Sequence, residues 1–229
     1  MKKTHAWCLI VIGAMLLIAA LLLIVYNMRQ DEGSGKESAL ILSDLRQHIS
    51  QQQTEPPTTE PDLMQYIPTN DLFSEYATEE TQETTEPADP LEDPVVEIDG
   101  SQYIGIISIP CLSVELPVMK DWSYPKLRRA PCRYQGNAVT GDLIIAAHNF
   151  RSHFGNIQSL NSGDQIVFLN ADGEKYIYEV IQTDMVGGRD IPSMLAGSQD
   201  GWDLTLFTCT LSGQTRVAVR AVLIPPPEE

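Results

Sequence analysis

Hydrophobic and polar positions follow three different patterns along the chain. Residues 7–26 form a run of 20 apolar or small residues that contains no charge. Residues 27–98 are mostly polar and rich in Thr, Glu and Pro. From residue 99 onward, short runs of β-branched and aromatic residues alternate with Gly, Pro, Asn and Asp. We therefore expect a membrane-spanning helix, a linker and a β-rich domain, in that order.

The apolar run of residues 7–26 is long enough to cross a bilayer, because helical residues rising about 1.5 Å each span the hydrocarbon core of about 30 Å. A cleaved signal peptide is the alternative, but its apolar region is usually about 7–15 residues long, and no A-x-A site follows here. Basic residues lie on both sides of the run, so charge does not decide its orientation. The short tail of residues 1–6 favours a cytoplasmic N-terminus and a domain outside the cell.

The linker of residues 27–98 holds most of the negative charge. It has 17 Asp and Glu against 3 Lys and Arg, in a chain whose net charge is −16. A segment so poor in apolar residues does not bury enough surface to offset the entropy of ordering, so we predict that it is disordered. One patch, residues 38–49, favours a short helix with Ser38 as its N-cap. The remaining domain is only mildly acidic, which argues against nucleic acid as a partner.

Seven candidate strands lie in the domain of residues 99–229. Their short length and close spacing indicate an all-β barrel or sandwich with short helices between strands. Turns of helix are expected at residues 153–160 and 191–196. The candidate strands are residues 101–110, 113–119, 141–148, 164–169, 175–184, 203–209 and 216–224.

The chain has four cysteines, which are too few for a disulfide scaffold. Cys8 lies in the predicted membrane helix. We expect Cys111 and Cys132 to be packing residues, with a bridge between them as the open alternative. Cys209 is different, because it ends a strand and is followed by a turn and a second strand.

The predicted hairpin brings Cys209 opposite an arginine. A turn centred on residues 212–213 folds symmetrically and sets Arg216 directly across from the cysteine. Arg220 would instead face Thr205, about 13 Å along the strand at ~3.3 Å per residue. A guanidinium beside a sulfur favours the thiolate and can hold an oxyanion during acyl transfer.

A thiol that attacks an amide needs a proton carrier, because the leaving amine must be protonated, and histidine is the usual residue. Of the four histidines, His5 and His48 lie outside the β-rich domain. His148 ends a strand of the buried type, and His153 lies in the loop that follows. Because a strand end holds a side chain more firmly than a loop does, we favour His148.

These residues stand in motifs that resemble the sortase family. The stretch "TLFTC" (205–209) fits the TLxTC signature of that family. The stretch "AAHN" (146–149) stands where the family has its catalytic histidine, and Arg216 stands where it has its catalytic arginine. Residues 105–118 and 163–180 resemble the opening strands and the central strand pair of the family.

The resemblance implies a membrane-anchored cysteine transpeptidase of a Gram-positive-type cell, with a closed eight-stranded β-barrel facing outward. Such an enzyme cleaves an LPxTG-like sorting signal between Thr and Gly, holds the acyl part as a thioester, and transfers it to an amine of a cell-wall precursor or a pilin. The resemblance implies Cys209 as the nucleophile, His148 as the acid and base, and Arg216 as the group that binds the substrate carbonyl. Ala147 departs from the family pattern, in which many members have glycine, and we expect this to alter backbone packing only.

Thr205, Thr208 and Asn149 flank these residues in the motifs, and we expect them to contact the substrate. No cofactor is expected. Two histidines without a carboxylate cluster do not predict a metal site. Two alternative functions stay open. One is a non-catalytic extracellular β-domain that binds a wall polymer or a protein, and the other is a different cysteine acyl-transfer enzyme, such as a transpeptidase that acts on peptidoglycan itself.

Two linker residues have a second interpretation. Asp71 and Phe73 have the spacing of the lid that some pilus-building sortases place over the active site. An ordinary linker is favoured, because the segment is far from the barrel in sequence. Deletion of residues 27–98 is then expected to leave peptide cleavage largely unchanged.

Overall fold

A computed structural model describes residues 2–54, 93–195 and 201–225 of the chain. The described helices are α1 (Lys2–Thr54), α2 (Tyr124–Leu127) and α3 (Ile191–Leu195). Short 3-10 turns lie at Pro110–Leu112 and Ile157–Ser159. The described strands are β1 (Val96–Ile98), β2 (Ser101–Ile109), β3 (Val114–Met119), β4 (Cys132–Gln135), β5 (Leu143–Ala147), β6 (Gln165–Asn170), β7 (Lys175–Gly187), β8 (Leu204–Cys209) and β9 (Thr215–Leu223).

Strands β2 to β9 form a closed eight-stranded barrel. Hydrogen bonds join them in the order β2-β3-β4-β5-β8-β9-β7-β6, and antiparallel pairing of β6 with β2 closes the barrel. The β3–β4 and β5–β8 pairs are parallel, and the other pairs are antiparallel. Strand β1 adds to the start of β2 as a short extra strand. The predicted eight-stranded barrel is therefore confirmed.

The interior of the barrel is a hydrophobic core built from alternate residues of the strands. On β8, Leu204 and Leu206 belong to this core, whereas Phe207 belongs to a cluster on the outside. This is the period of two that a strand imposes on its side chains. The loop after β5 contributes Phe154 and Ile157 to the same core, both 0% exposed. That loop is therefore anchored to the barrel immediately after the strand that precedes His148.

The N-terminal part of helix α1 is apolar and has no protein around it. Leu16, Leu17 and Leu22 are each at least 65% exposed. Among the described residues, this is the one helix long and apolar enough to cross a membrane. It fits the predicted single-pass anchor.

The rest of helix α1 packs against the outside of the barrel. Ile41, Leu45 and Ile49 are buried at helical spacing, in a cluster with side chains from β1, β2, β3 and β4. The disorder predicted for residues 27–98 is therefore wrong for residues 27–54, which continue α1, and for residues 96–98, which form β1. The helix expected at residues 38–49 is present as part of α1. The predicted N-cap at Ser38 is also wrong, because this residue lies inside the helix.

Each of the seven predicted strands is present, with bounds within three residues of the prediction. Strands β1 and β4 were missed because three or four residues are too few to show alternation. The predicted helical turns correspond to Ile157–Ser159 and to α3. Cys111 and Cys132 are free thiols, so the alternative bridge is not formed. Asp71 and Phe73 lie outside the described residues.

Candidate active site

Strands β8 and β9 bring Cys209 and Arg216 together as directly opposed residues. The turn between them is closed by a hydrogen bond from the Thr210 N–H to the Thr215 carbonyl, with an N···O distance of 3.1 Å. Gly213 in this turn has φ 70°, a conformation that favours glycine. Opposed residues share one face of the strand pair, with Cβ atoms about 4.5–5.5 Å apart. The predicted pairing is confirmed.

His148 lies beside Cys209 because the strands that lead to them are parallel neighbours. Strand β5 pairs with β8 through Ala147 and Thr208. In sequence, His148 follows Ala147 and Cys209 follows Thr208. Neighbouring strands lie about 4.8 Å apart. His148, Cys209 and Arg216 therefore form a row across the ends of three adjacent strands, β5, β8 and β9.

The Arg216 guanidinium is held by its own turn. Its Nη1 donates hydrogen bonds to the carbonyl oxygens of Gly213 (2.9 Å) and Thr215 (3.0 Å). Gly188, which follows β7, leaves room for it. A Cβ atom at Gly188 would lie 2.7 Å from the Gln214 carbonyl oxygen and 3.3 Å from Nη1 of Arg216. The guanidinium is therefore held by the carbonyl groups of its own turn, in space that a side chain at position 188 would reduce.

His148 is half-buried, and its ring has two neighbours from the loop that follows it. Nδ1 lies 3.3 Å from Oδ1 of Asn149. The Phe150 ring stacks on the imidazole, with centroids 4.4 Å apart and planes inclined by 9°. An acceptor at Nδ1 favours the tautomer with its proton on Nδ1, which leaves Nε2 free to exchange a proton.

His153, the alternative histidine, is buried away from this row. It is 1% exposed, and its Nε2 lies 2.9 Å from Oγ of Ser34 in α1. Burial, with a contribution from nearby His148, lowers the pKa of His153 to about 4. A histidine that is enclosed and neutral at pH 7 is unsuited to proton transfer with a substrate, which supports the preference for His148.

Thr208 and Asn149, two of the predicted substrate contacts, lie next to Cys209. Both line the same cavity as the cysteine. The Thr208 hydroxyl donates a hydrogen bond to the Ala147 carbonyl oxygen at 2.9 Å, which ties β8 to the residue before His148. The structure thus brings these two residues to the candidate site.

Thr205, the third predicted contact, is not brought to the candidate site. It is 1% exposed and lies four residues before Cys209 on β8. Its Oγ1 accepts hydrogen bonds from Nη1 of Arg220 (2.7 Å) and from Nε1 of Trp202 (3.1 Å). The Arg220 guanidinium also lies 5.0 Å from the centre of the Trp202 ring. Thr205 therefore belongs to a buried network within the protein.

The other two cysteines of the barrel lack the surroundings of Cys209. Cys132 is buried, and burial raises the pKa of its thiol to about 12. Cys111 is exposed, and the pKa of its thiol is raised by partial desolvation and by Asp164. A raised pKa disfavours the thiolate, which is the nucleophilic form. Neither thiol is a candidate nucleophile.

Two cavities meet at Cys209. The first has a volume of about 200 Å³ and is here called the aromatic groove; its lining includes Trp122, Tyr134, Met194, Phe207, Cys209 and Arg216. The second has a volume of about 670 Å³ and is called the polar cavity; its lining includes Asn149, Arg151, Asn156, Gln158, Cys209 and Ser212.

A family model described as the Sortase domain matches residues 107–224, which is more than half of the chain. The chain belongs to the sortase family. The matched residues contain His148, Cys209 and Arg216, so the row of three lies within the sortase domain. The resemblance seen in the sequence motifs is confirmed at the level of the family.

Several sortases are similar to this sortase-family chain. Sortase A of Bacillus anthracis is 32% identical over 117 residues, 49% of this chain and 54% of the relative, so the chain spans about half the length of that curated protein. The pilus-related Sortase C of Group B Streptococcus is 28% identical, over 56% of this chain and 70% of that one, with a TM-score of 0.48. Sortase A from Corynebacterium diphtheriae, a lid mutant, is 27% identical, over 54% and 71%, with a TM-score of 0.49.

Sequence reasoning on this sortase-family chain missed the aromatic residues around the site. The rings of Trp122 and Tyr134 lie 5.3 Å apart, and Tyr134 contacts Phe207 edge-on at 5.3 Å. Tyr134 lies on β4, a strand too short to be predicted, so its meeting with Trp122 had no signal in the sequence. Phe150 was visible as an aromatic residue two positions after His148, but nothing distinguished it from a core residue.

Proposed function

We propose that this chain is a membrane-anchored cysteine transpeptidase that cleaves an LPxTG-like sorting signal and transfers the acyl part to an amine. The observation that supports this most directly is the row formed by His148, Cys209 and Arg216 at the ends of three adjacent strands, with two cavities that meet at the thiol. A nucleophile, a proton carrier and an oxyanion donor are the groups that acyl transfer to and from a thiol requires.

The first step forms the thioester. The Cys209 thiolate attacks the carbonyl carbon of the Thr residue in the sorting signal, and a C–S bond forms. As the tetrahedral intermediate collapses, the C–N bond to Gly breaks, and His148 gives its proton to the leaving amine. The products are a thioester on Cys209 and a free fragment that begins with Gly.

The second step forms the new amide. The acceptor amine attacks the thioester carbon, and neutral His148 takes a proton from it. The C–S bond breaks and Cys209 leaves as a thiolate. His148 gives one proton in the first step and receives one in the second, so the pair returns to its starting state.

Arg216 stabilises the negative oxygen of both tetrahedral intermediates. Because the carbonyls of Gly213 and Thr215 already hold one end of the guanidinium, little reorganisation is needed when charge develops. A planar guanidinium also offers several donors in a fixed geometry, which an ammonium does not.

The two cavities suit the two substrates. The apolar residues of the sorting signal fit the aromatic groove, where rings and a thioether allow burial of apolar surface. The amine of a cell-wall precursor or a pilin fits the polar cavity on the other side of the thiol. Thr208, which lines both cavities, and Asn149, which lines the polar cavity, contact the substrate.

The exposed apolar part of α1 is the anchor. We infer that the N-terminus is cytoplasmic and that the barrel faces outward. In that orientation the barrel meets proteins that have already been secreted, which is where a sorting signal would be presented.

The test uses the full-length protein in detergent micelles, because α1 packs against the barrel. A panel of LPxTG-like peptides is added with and without an amine acceptor, and the intact protein is weighed by mass spectrometry. We expect an acyl adduct on the wild type that disappears as the amine is added and the transfer product accumulates. Cys209→Ala should form no adduct, and the matched thiol variant Cys111→Ala should form it normally.

The outcome that contradicts this proposal is specific. A folded protein whose Cys209 is alkylated by iodoacetamide, but which forms no adduct with any peptide, is not a transpeptidase for this class of substrate. The alternative, a β-domain that binds a wall polymer or a protein without catalysis, would then be favoured.

A further inference from the structure

The loop of residues 149–155, which follows His148, is wound into a tight turn. The N–H groups of His153 and Gly155 both donate to the carbonyl oxygen of Phe150, at 3.0 and 2.8 Å. A Cβ atom at Gly155 would lie 2.7 Å from each of two carbonyl oxygens of the turn, so a larger residue would force the backbone to move. The conformation of this loop determines where the neighbours of His148 lie.

Helix α1 holds this loop from outside through Asp31. The carboxylate accepts hydrogen bonds from the backbone N–H groups of Arg151 (3.2 Å) and Ser152 (3.1 Å) and from the Ser152 hydroxyl (2.5 Å). Burial raises the pKa of Asp31, but these hydrogen bonds together outweigh it and hold the pKa below its ordinary value. Asp31 is therefore ionised at neutral pH and caps the loop.

One turn further along α1, Ser34 and Ser38 enclose the Nε2 atom of His153, at 2.9 and 3.2 Å. Each serine hydroxyl donates its own proton to a backbone carbonyl, Ser34 to that of Arg128 and Ser38 to that of Arg129. Because a hydroxyl has a single proton, Nε2 must be the donor toward both oxygens. His153 is therefore held as the neutral tautomer with its proton on Nε2.

Phe150 connects His153 to His148. Its ring stacks on the His148 imidazole with centroids 4.4 Å apart, and it is tilted against the His153 ring with centroids 5.6 Å apart. Interiors packed at this density transmit small displacements. A shift of His153 would therefore move the Phe150 ring, and with it the ring against which the His148 imidazole stacks.

We propose that Asp31, Ser34 and Ser38 of α1 are positioning residues, which fix the orientation of the His148 ring through the loop of residues 149–155. The proposal rests on the proposed function in that it takes His148 as the proton carrier. It makes the helix that leaves the membrane a part of the active site. It also reverses the expectation that the whole linker is dispensable for peptide cleavage.

The local sequence of α1 fits this role. Residues 33–38, "GSGKES", include two glycines and two serines, which are poor helix formers. Gly35 lies against the loop, and a Cβ atom there would lie 3.0 Å from the Cβ of Ser152. Close approach of the helix to the loop explains a glycine at this position, where helix propensity does not.

Two changes in the full-length protein test the proposal. Asp31→Asn puts an amide N–H where the carboxylate accepts from backbone donors. The double variant Ser34→Ala with Ser38→Ala removes both acceptors of His153 Nε2. Glu37→Gln is the matched control, because it removes an ion pair of the same helix turn with Arg129 (2.5 Å), which lies outside the loop.

The kinetic readout separates positioning from binding. We expect both test variants to lower kcat for transpeptidation about tenfold, because a catalytic group displaced by a fraction of an ångström loses much of its effect. KM for the peptide should stay within about twofold, since the aromatic groove is untouched. Glu37→Gln should behave like the wild type. The buried Cys132 should resist alkylation in all four proteins, which shows that the barrel is folded.

A second readout does not depend on turnover. Stacking on Phe150 shields the ring protons of His148, so their NMR resonances should lie upfield in the wild type and in Glu37→Gln. They should move downfield in both test variants. If kcat and these resonances are the same in the test variants as in Glu37→Gln, the positioning proposal is overturned. A different result would contradict the proposed function and leave the positioning intact. In that result the His148 resonances lie upfield in the wild type and move downfield in both test variants, but the wild type turns over no peptide.

Discussion

The two cavities that meet at Cys209 differ in what lines them. The smaller one, the aromatic groove, presents apolar side chains: Trp122, Tyr134, Met194 and Phe207. The larger one, the polar cavity, adds amides and a hydroxyl, from Asn149, Asn156, Gln158 and Ser212, to the apolar side chains of Leu211 and Val217. Apolar linings bind by burial, which requires no particular charge on the ligand, whereas polar linings keep exchanging hydrogen bonds with water.

Under the proposed function, this difference suggests how one thiol would serve two substrates in turn. A transpeptidase must keep hold of the acyl part while the leaving peptide is exchanged for an amine. In the proposed mechanism the thioester bond retains the acyl part during this exchange, a groove that buries its apolar surface fixes its orientation, and a polar cavity admits amines and water. If the proposed function is right, changes on the two sides should therefore affect different kinetic constants.

The largest effect is expected at Arg216, which lies opposite the thiol and serves both steps of the proposed mechanism. Arg216→Ala should lower the rate of adduct formation about 10²–10³-fold, as when an oxyanion donor is lost. Arg216→Lys keeps the charge without the planar geometry and should recover only part of the rate. The exposed Arg189 is the control, and Arg189→Ala should stay near the wild type. Equal rates in the two alanine variants, measured by intact-protein mass spectrometry, would remove Arg216 from the mechanism.

A smaller effect, confined to KM for the peptide, is expected from a substitution in the aromatic groove. Trp122→Ala removes an aromatic wall that is 42% exposed, so the fold should be kept. We expect KM for the peptide to rise about tenfold with little change in kcat, as for an aromatic anchor of moderate strength. Leu211→Ala, at a residue of the polar cavity that is 99% exposed, is the control. An equal rise in KM in both variants, from initial rates over a range of peptide concentrations, would show that the groove does not select the peptide.

The smallest effect, on the ratio of transfer to hydrolysis, is expected from a substitution in the polar cavity. Gln158→Ala should leave adduct formation unchanged and shift the ratio of transfer to hydrolysis about threefold, the effect of one hydrogen bond to an incoming group. Chromatographic separation of the two products at fixed amine concentration measures the ratio. Trp122→Ala should leave this ratio unchanged. A slower acylation in Gln158→Ala would mean that the two sides are not functionally separate.

The parts of the fold that the sequence predicts are those built from local patterns. The hairpin that opposes Cys209 and Arg216 involves eight consecutive residues, so its pairing follows from one turn. The aromatic groove instead joins side chains from separate elements, among them Trp122, Tyr134 and Met194. No local period links these residues, and the strand that carries Tyr134 is only four residues long. Their meeting is a property of the closed barrel.

Helix α1 shows a different reason for a failed prediction. Averaged over residues 27–98, the composition is acidic and polar, which is typical of disorder. Ile41, Leu45 and Ile49 nevertheless recur at helical spacing and face the barrel. The glycines and serines at 33–38 weaken the helix signal at the very residues that contact the loop after His148. Here the tertiary contact outweighs the local propensity.

Helix α1 runs without a break from the predicted span to its contacts with the barrel. At about 1.5 Å per residue, Asp31 lies only about 8 Å along the axis beyond residue 26. If α1 spans a bilayer as proposed, it sets both the height of the candidate site above the lipid and the direction in which this site faces around the helix axis. One residue inserted between them would turn the barrel by about 100°, whereas seven would lift it by about 10 Å and nearly restore its facing. The number of residues in one helix thus determines both the height of the barrel above the lipid and its rotation about the helix axis. Partners anchored in the same membrane would then meet the site at a constant height.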